Sequence, residues 1–300
     1  MPAYGGPSIV MSKIRALITL ARPHQYIKNV FIFLPIFFAH KLFDSHALIQ
    51  TCWAFVVFCL GASSVYVVND IFDVKIDRIH PIKKHRPLAA GILQKREAFI
   101  FAALLLIFSI SLTVYKLEWI LLIVLGSYLI LNYLYSCCLK KFAIIDISVI
   151  AVGFVIRVFF GGLSSEVSIS HWLIIMTFLL ALFLALAKRR DDLLLLSNGH
   201  KVRQNIDGYS LEFVSHSMVI MAAVIIVSYI LYTVSPEVIM VHKTTNLYLT
   251  TFLVIIGLLR YLQITFVEQQ SGSPTSIILK DHFMQIVIIL WLLSAYLIIY

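Results

Sequence analysis

Charge is scarce in this chain, and acidic charge scarcer still: 13% of the 300 residues are charged, with 15 Asp or Glu against 24 Lys or Arg. In a chain that is 61% hydrophobic, with a mean hydropathy of +0.95, so little charge excludes both a soluble globular domain and a disordered one. Cysteine is sparse as well, and Cys52, Cys59, Cys137 and Cys138 form neither a disulfide framework nor a zinc-ligand spacing. A cleavable signal peptide is missing from the pattern, because the first sustained apolar run follows Arg22 and Pro23 and lacks small-residue cleavage chemistry. Met11 offers a second start, and Pro2, Gly5, Gly6 and Pro7 lead us to expect a disordered tail over the first ten residues. What is left is a polytopic, all-α membrane protein.

Apolar stretches recur at residues 26–44, 48–68, 98–115, 119–136, 143–163, 170–187, 213–234, 247–263 and 281–300. Most have the length a helix needs to cross a hydrocarbon core of about 30 Å. Nine crossings put the termini on opposite sides. With the N-terminus inside, the cytoplasmic segments carry twenty of the 24 basic residues and the outer loops only Lys41, Lys116 and Lys243. That asymmetry fixes the orientation by the positive-inside rule. The net charge of +9 is then a property of the cytoplasmic face, which points to anionic lipids and anionic substrates as partners and not to nucleic acid. The expected organisation is a partly disordered tail at 1–20 and a single nine-helix domain at 21–300 around a cavity open near the cytoplasmic face.

Against this background residues 69–77, NDIFDVKID, stand out. Asn69, Asp70, Asp73 and Asp77 fall within about 100° of one another on a helix, so one face carries all four. Acidic residues contribute little to topology, so membrane orientation does not explain them. Three carboxylates so close are most readily reconciled by a hard divalent cation, and a carboxylate-held Mg²⁺ typically completes its shell with water and phosphate oxygens. The loop that follows supplies Arg78, His80, Lys83, Lys84, His85 and Arg86, a basic set suited to phosphate. Pro81, Pro87 and Gly91 break any continuous helix there and would let the loop fold back.

A second long charged loop, 188–212, opens with Lys188 and Asp192 at i and i+4. They form either a surface ion pair or a second metal-facing acid with a phosphate-facing ammonium. Asp146 and Arg157 lie deeper, on one face of the fifth span but roughly 16 Å apart, so they do not pair. Arg157 marks either an internal cavity or a buried hydrogen-bond hub. Gly161 and Gly162, just beyond it, read as a close helix approach or a helix end. His24, His80 and His85 have no metal-ligand spacing.

NDIFDVKID fits the N-D-x-x-D-x-x-x-D signature and resembles that of the UbiA-type intramembrane prenyltransferases, a family of nine-helix proteins. Within it the chain resembles the bacterial decaprenyl-phosphate phosphoribosyltransferase branch. The resemblance is carried by RPHQYIKNVFIFLPIFF (22–38), NDIFDVKIDRIHPIKKHRPLAAG (69–91), YSCCLKKFAIIDISVIAVGFVIRVFFGG (135–162), and AKRRDDL with DGYSLEF (187–193 and 207–213). GLLRYLQITF (257–266) is also similar. Tyr26 stands where the branch often has Trp, and Asp192 where it commonly has Glu.

The resemblance implies a bacterial cytoplasmic-membrane enzyme that moves 5-phosphoribose from 5-phosphoribose 1-diphosphate to a polyprenyl monophosphate, with Mg²⁺ as cofactor and Mn²⁺ as its alternative. It also suggests self-association. Asn69, Asp70, Asp73 and Asp77 are then the metal and diphosphate site, with Asp73, Asp77, Lys188 and Asp192 the catalytic group. Lys28, Lys83, Arg86, Tyr135, Lys140, Asp146 and Arg157 are the expected substrate-binding residues, Lys140 meeting a phosphate. The alternative is prenyl transfer from a prenyl diphosphate to an aromatic acceptor such as 4-hydroxybenzoate, for a quinone or haem side chain. KRRDD in place of the second D-x-x-x-D motif of quinone-type members argues against it. A transporter is a third class, and the acidic residues crowded at one interface, with no visible repeat, do not favour it.

Overall fold

The computed structural model describes residues 7–79, 83–197, 208–269 and 274–300, with side chains from residue 13 onward. His80, Pro81, Lys201, Arg203 and the first six residues therefore lie outside the described residues. Every described element is helical. The α-helices are α1 (Pro7–Ala21), α2 (Leu34–Phe38), α3 (Ser45–Asp77), α4 (Lys95–Lys116), α5 (Ile120–Cys137), α6 (Ile145–Ser164), α7 (His171–Ser197), α8 (Leu211–Val234), α9 (Pro236–His242), α10 (Thr251–Phe266), α11 (Pro274–Lys280) and α12 (His282–Ile299). Among the described residues, eight helices are long and apolar enough to cross a membrane.

Within the stretch 1–20, residues 7–20 belong to α1, whose Ala16 and Leu20 are buried beside Val67 and Val74 of α3. One sequence expectation is corrected. Residues 26–44 are not one α-helix: Pro23–Phe33 winds as a 3₁₀ helix before α2 begins. At the junction, Pro35 has no N–H to return to the carbonyl of Phe31, and Leu34 N–H takes that carbonyl, so the last turn before α2 keeps 3₁₀ pairing. At a rise of about 2.0 Å per residue, the tighter winding stretches eleven residues over about 22 Å.

Local chemistry sets the other helix ends. Asp44 caps α3 by accepting from the N–H groups of His46 and Ala47, Ser210 caps α8 through Phe213 N–H, and Asp281 caps α12 through Met284 N–H. At α4, Glu97 reaches back to Gln94 N–H at 2.8 Å and takes Lys13 at 2.6 Å.

The chain divides into two compact units. One comprises Met1–Leu34, Asp44–Lys140 and Ile156–Val167; in it α3 packs against α1, α4, α5 and the 3₁₀ helix. Its core joins Phe58, Val65, Tyr128, Leu125 and Phe160. The other comprises Pro35–Phe43, Lys141–Val155 and Ser168–Tyr300, where α7 packs on α8, and α10 on α12 and α8. Phe183, Met218, Tyr261 and Ile264 centre its core. The outer faces stay apolar: Phe99, Ile107 and Phe108 of α4 are more than half exposed, as a lipid-facing surface requires.

Helix length positions the polar residues. The 33 residues of α3 rise about 50 Å, well beyond a hydrocarbon core of about 30 Å, so the last turns that carry the aspartates reach the interface. By the same arithmetic the 27 residues of α7 rise about 40 Å and carry KRRDD out at their end.

Candidate active site

The face at the end of α3 does not repel itself, because each carboxylate is held by a cation. Asp70, only 2% exposed, accepts from the Arg22 guanidinium and, at 3.0 Å, from Arg86 Nη1. The same Arg86 nitrogen lies 2.7 Å from Asp77 Oδ2. Asp73 takes Lys140 Nζ at 2.5 Å on one oxygen and the Asn69 amide at 3.0 Å on the other. Ser136 of α5 donates to Asn69 Oδ1 at 3.1 Å and thereby fixes which way the amide points.

The chain after α3 returns to deliver Arg86. Lys83–His85 forms a 3₁₀ turn, Pro87 and Leu88 are buried, and Gly91 adopts φ +76°, where a side chain would be strained. The N–H groups of Ile92 and Leu93 both come back to the Pro87 carbonyl. Arg22 enters from the opposite flank, itself at φ 55° between α1 and the 3₁₀ helix, with its guanidinium also over the Tyr66 ring at 5.5 Å. Arg22 is a candidate the sequence argument passed over; its signal was an arginine directly before Pro23, at the break between two helices. Lys28, Lys83 and Tyr135 are each half-buried in this same unit, on the 3₁₀ helix, the turn after α3 and the last turn of α5.

Asn69 and three aspartates are the oxygen donors a hard divalent cation takes. Among the described residues, however, no three His, Cys, Asp or Glu side chains gather closely enough to hold a metal by themselves. Magnesium characteristically takes one or two carboxylates and fills its shell with phosphate and water, so this donor set fits a metal already carried by a diphosphate better than a bare ion.

A second polar network lies in the other unit. Asp146, in the first turn of α6 and fully buried, accepts from Arg189 Nε at 2.6 Å and from the Tyr209 hydroxyl at 2.6 Å. Arg189 then reaches Asp192 through Nη1 at 2.7 Å. The i, i+4 spacing pointed to Lys188 as the partner of Asp192, yet the ion pair comes from Arg189 at i+3, and Lys188 is exposed. Burial of Tyr209, together with its bond to Asp146, pushes its hydroxyl pKa up, so it remains a donor. Arg190 is buried too, donating to the Thr265 carbonyl at 2.6 Å and lying over Phe266.

Arg157 is 4% exposed and belongs to the first unit, where Nε donates to Asn29 at 2.8 Å and Nη2 to Tyr128 at 3.1 Å. Its guanidinium also lies over the Phe58 and Tyr128 rings. The four cysteines are free.

The model of the UbiA prenyltransferase family matches residues 30–289. The chain belongs to this family. Among its relatives, a decaprenyl-phosphate phosphoribosyltransferase of Mycolicibacterium smegmatis is 31% identical over 97% of this chain and 93% of its own length. One of Corynebacterium glutamicum is 30% identical over 95% of this chain and 86% of its own. In structure, a UbiA homolog from Archaeoglobus fulgidus bound to GPP and Mg²⁺ superposes with a TM-score of 0.71, covering 95% of this chain and 99% of that one at 17% identity. That likeness shows the fold. As a UbiA family member with multiple apolar crossings, the protein is an integral, multi-pass membrane protein.

Proposed function

We propose that this UbiA family member transfers 5-phosphoribose from 5-phosphoribose 1-diphosphate to a polyprenyl monophosphate and releases diphosphate, feeding cell-envelope glycan synthesis. The observation that carries the reading is the alternation of acid and base at the end of α3: Asp70 and Asp77 on Arg86, Asp73 on Lys140. A site that must bind a metal and a polyanion together needs both signs within a few ångströms. Full-length likeness to two relatives named decaprenyl-phosphate phosphoribosyltransferase supports the choice of substrates.

Asn69, Asp70, Asp73 and Asp77 would hold Mg²⁺, or Mn²⁺ in its place, which when bound supplies charge neutralisation on the leaving diphosphate. Arg22, Arg86 and Lys140 exchange their carboxylate partners for phosphate oxygens, and Lys28 and Lys83 add charge for the same anions. A lipid phosphate oxygen forms the new bond to ribose C1 as the bond from C1 to the diphosphate oxygen breaks, with inversion at C1. The attacking group is already an anion, so no general base is required of the protein. Catalysis then rests on positioning and on excluding water from an electron-poor C1. Tyr135 is a further proposed contributor to this site, and Lys188, Asp192 and Asp146 are proposed, in their own unit, as residues the reaction uses.

The reading includes nine crossings, with Pro23–Phe38 as the one made partly of 3₁₀ helix, an N-terminus inside, and a site near the cytoplasmic face of a bacterial inner membrane. Its test is transfer of radiolabelled phosphoribose to polyprenyl monophosphate by purified protein in detergent, with and without Mg²⁺. Labelled lipid formed only with Mg²⁺ supports it. No product from folded protein with several chain lengths, together with transfer from a prenyl diphosphate to 4-hydroxybenzoate, would replace it with aromatic prenylation.

A further inference from the structure

One backbone position in the second unit is strained. Ile144 has φ 69°, a region that a β-branched residue rarely enters, and Ile145 N–H bonds the Ala143 carbonyl at 2.8 Å across it. A bond between residues two apart around a positive φ is the mark of the rare, strained γ-turn. α6 starts from this turn, with Asp146 two residues on. Strain of this kind persists only where neighbouring groups over-determine it.

Here the determining groups come from GYS, residues 208–210. Tyr209 Oη accepts from Ile144 N–H at 2.7 Å and donates to Asp146 Oδ1 at 2.6 Å. Gly208 lies so close to the turn that a Cβ on it would stand 2.5 Å from Ala143 Cβ. One hydroxyl therefore bonds both the strained peptide and the buried carboxylate whose other oxygen takes Arg189.

We propose that Tyr209 is a positioning residue: it latches the Ile144 turn and so sets Asp146 and, through Arg189, Asp192 for the reaction, an assignment that rests on the function proposed above. The latch joins two observations that a plain helix cap does not need. A cap would satisfy an N–H without a strained residue, and a buried Asp–Arg pair would be stable without a tyrosine that also holds the backbone.

The test compares wild type, Tyr209→Phe, Ile144→Gly and the double variant, since glycine adopts a positive φ without strain and needs no latch. Turnover with 5-phosphoribose 1-diphosphate, split into kcat and KM, and unfolding temperature in detergent are read for all four. The expected result is a loss of about tenfold in kcat/KM for Tyr209→Phe, reduced to about threefold when Ile144→Gly is present, with Ile144→Gly alone near wild type. An equal loss in both backgrounds, or none, overturns the latch. If Tyr209→Phe does not fold, the double variant must; its failure to fold overturns the proposal as well. Should wild type transfer no phosphoribose, the functional reading falls separately. Unfolding temperatures then decide the latch: a smaller effect of Tyr209→Phe in the Ile144→Gly background supports it, and strict additivity overturns it.

Discussion

Arg86 Nη1 stands 2.7 Å from Asp77 Oδ2, nine residues earlier in the chain, and 3.0 Å from Asp70 Oδ1. One nitrogen thus closes the loop after α3 onto two buried carboxylates about two helical turns apart. Arg86 holds the face together, and on the function proposed above it would offer its cation to an incoming anion.

Arg86→Ala should therefore harm both folding and turnover. Removing one partner of a fully buried pair costs about 3–5 kcal/mol, and the 27% exposure of the Arg86 side chain brings the expected loss to about 2–3 kcal/mol. kcat/KM for 5-phosphoribose 1-diphosphate should drop roughly a hundredfold, and Arg86→Lys should recover only part of it, because an ammonium keeps the charge without the planar fork. Turnover together with unfolding temperature checks this; a destabilised protein with unchanged kcat/KM would remove Arg86 from the site.

Asp73 is the least buried of the three carboxylates, its side chain 16% exposed beside Lys140. Asp73→Asn should leave insertion and stability within about 1 kcal/mol, as expected for a partly exposed pair. Turnover should nevertheless be lost, as it should for Asp77→Asn, and the Mg²⁺ concentration giving half-maximal rate should rise sharply in any residual activity. A normal Mg²⁺ titration in either variant would sink the metal assignment.

The acidic face at the end of α3 was legible in the sequence, because helical periodicity alone gathers Asn69, Asp70, Asp73 and Asp77 there. Their partners were not. Arg22 and Lys140 are 48 and 67 residues from the aspartates they hold, and no local rule reports such distances. The pairing of Lys140 with Asp73 at 2.5 Å was likewise out of reach of helical periodicity. Among the described residues, eight of the expected crossings emerged as long helices, one of them opening with a 3₁₀ turn at Asn246–Thr250, because an apolar run of that length has few alternatives. The stretch beginning at residue 26 did not, since hydropathy does not tell 3₁₀ from α winding. Arg189 was hidden within a run of like charges, where i+3 and i+4 partners compete for Asp192.

Gly161 and Gly162 read in the sequence as a close approach or a helix end, and Gly161 gives the close approach a sharp test. A Cβ there would stand 2.0 Å from the Ile32 carbonyl oxygen and 2.7 Å from its carbon. Both are backbone atoms of the 3₁₀ helix, so no side-chain rotation relieves the clash. Gly161→Ala should cost about 3 kcal/mol or more and sharply reduce the monodisperse fraction in size-exclusion chromatography. Gly126→Ala is the matched control: nothing lies within 4 Å of its added Cβ in α5, and the change should stabilise by about 0.5–1 kcal/mol. Equal behaviour of the two would deny the contact.

His242 should make stability fall as the medium turns mildly acidic. It is 8% exposed, its Nδ1 lies 2.8 Å from His40 Nε2, and the His40 ring in turn lies tilted beside Tyr300. Burial first, and then the neighbouring His40 ring, lowers the His242 pKa from 6.5 to about 4. The folded protein therefore keeps His242 neutral where the unfolded chain has taken up a proton. Its contribution is full above pH 6.5 and is lost as pH falls from there towards 4. Asp281, whose pKa Arg260 holds below 3.8, loses its contribution only at lower pH and does not blur this window. Unfolding temperature in detergent should drop between pH 7.5 and 5 in wild type and drop less in His242→Gln, which keeps a polar side chain but does not titrate. The same decrease in both proteins would show that another group drives it.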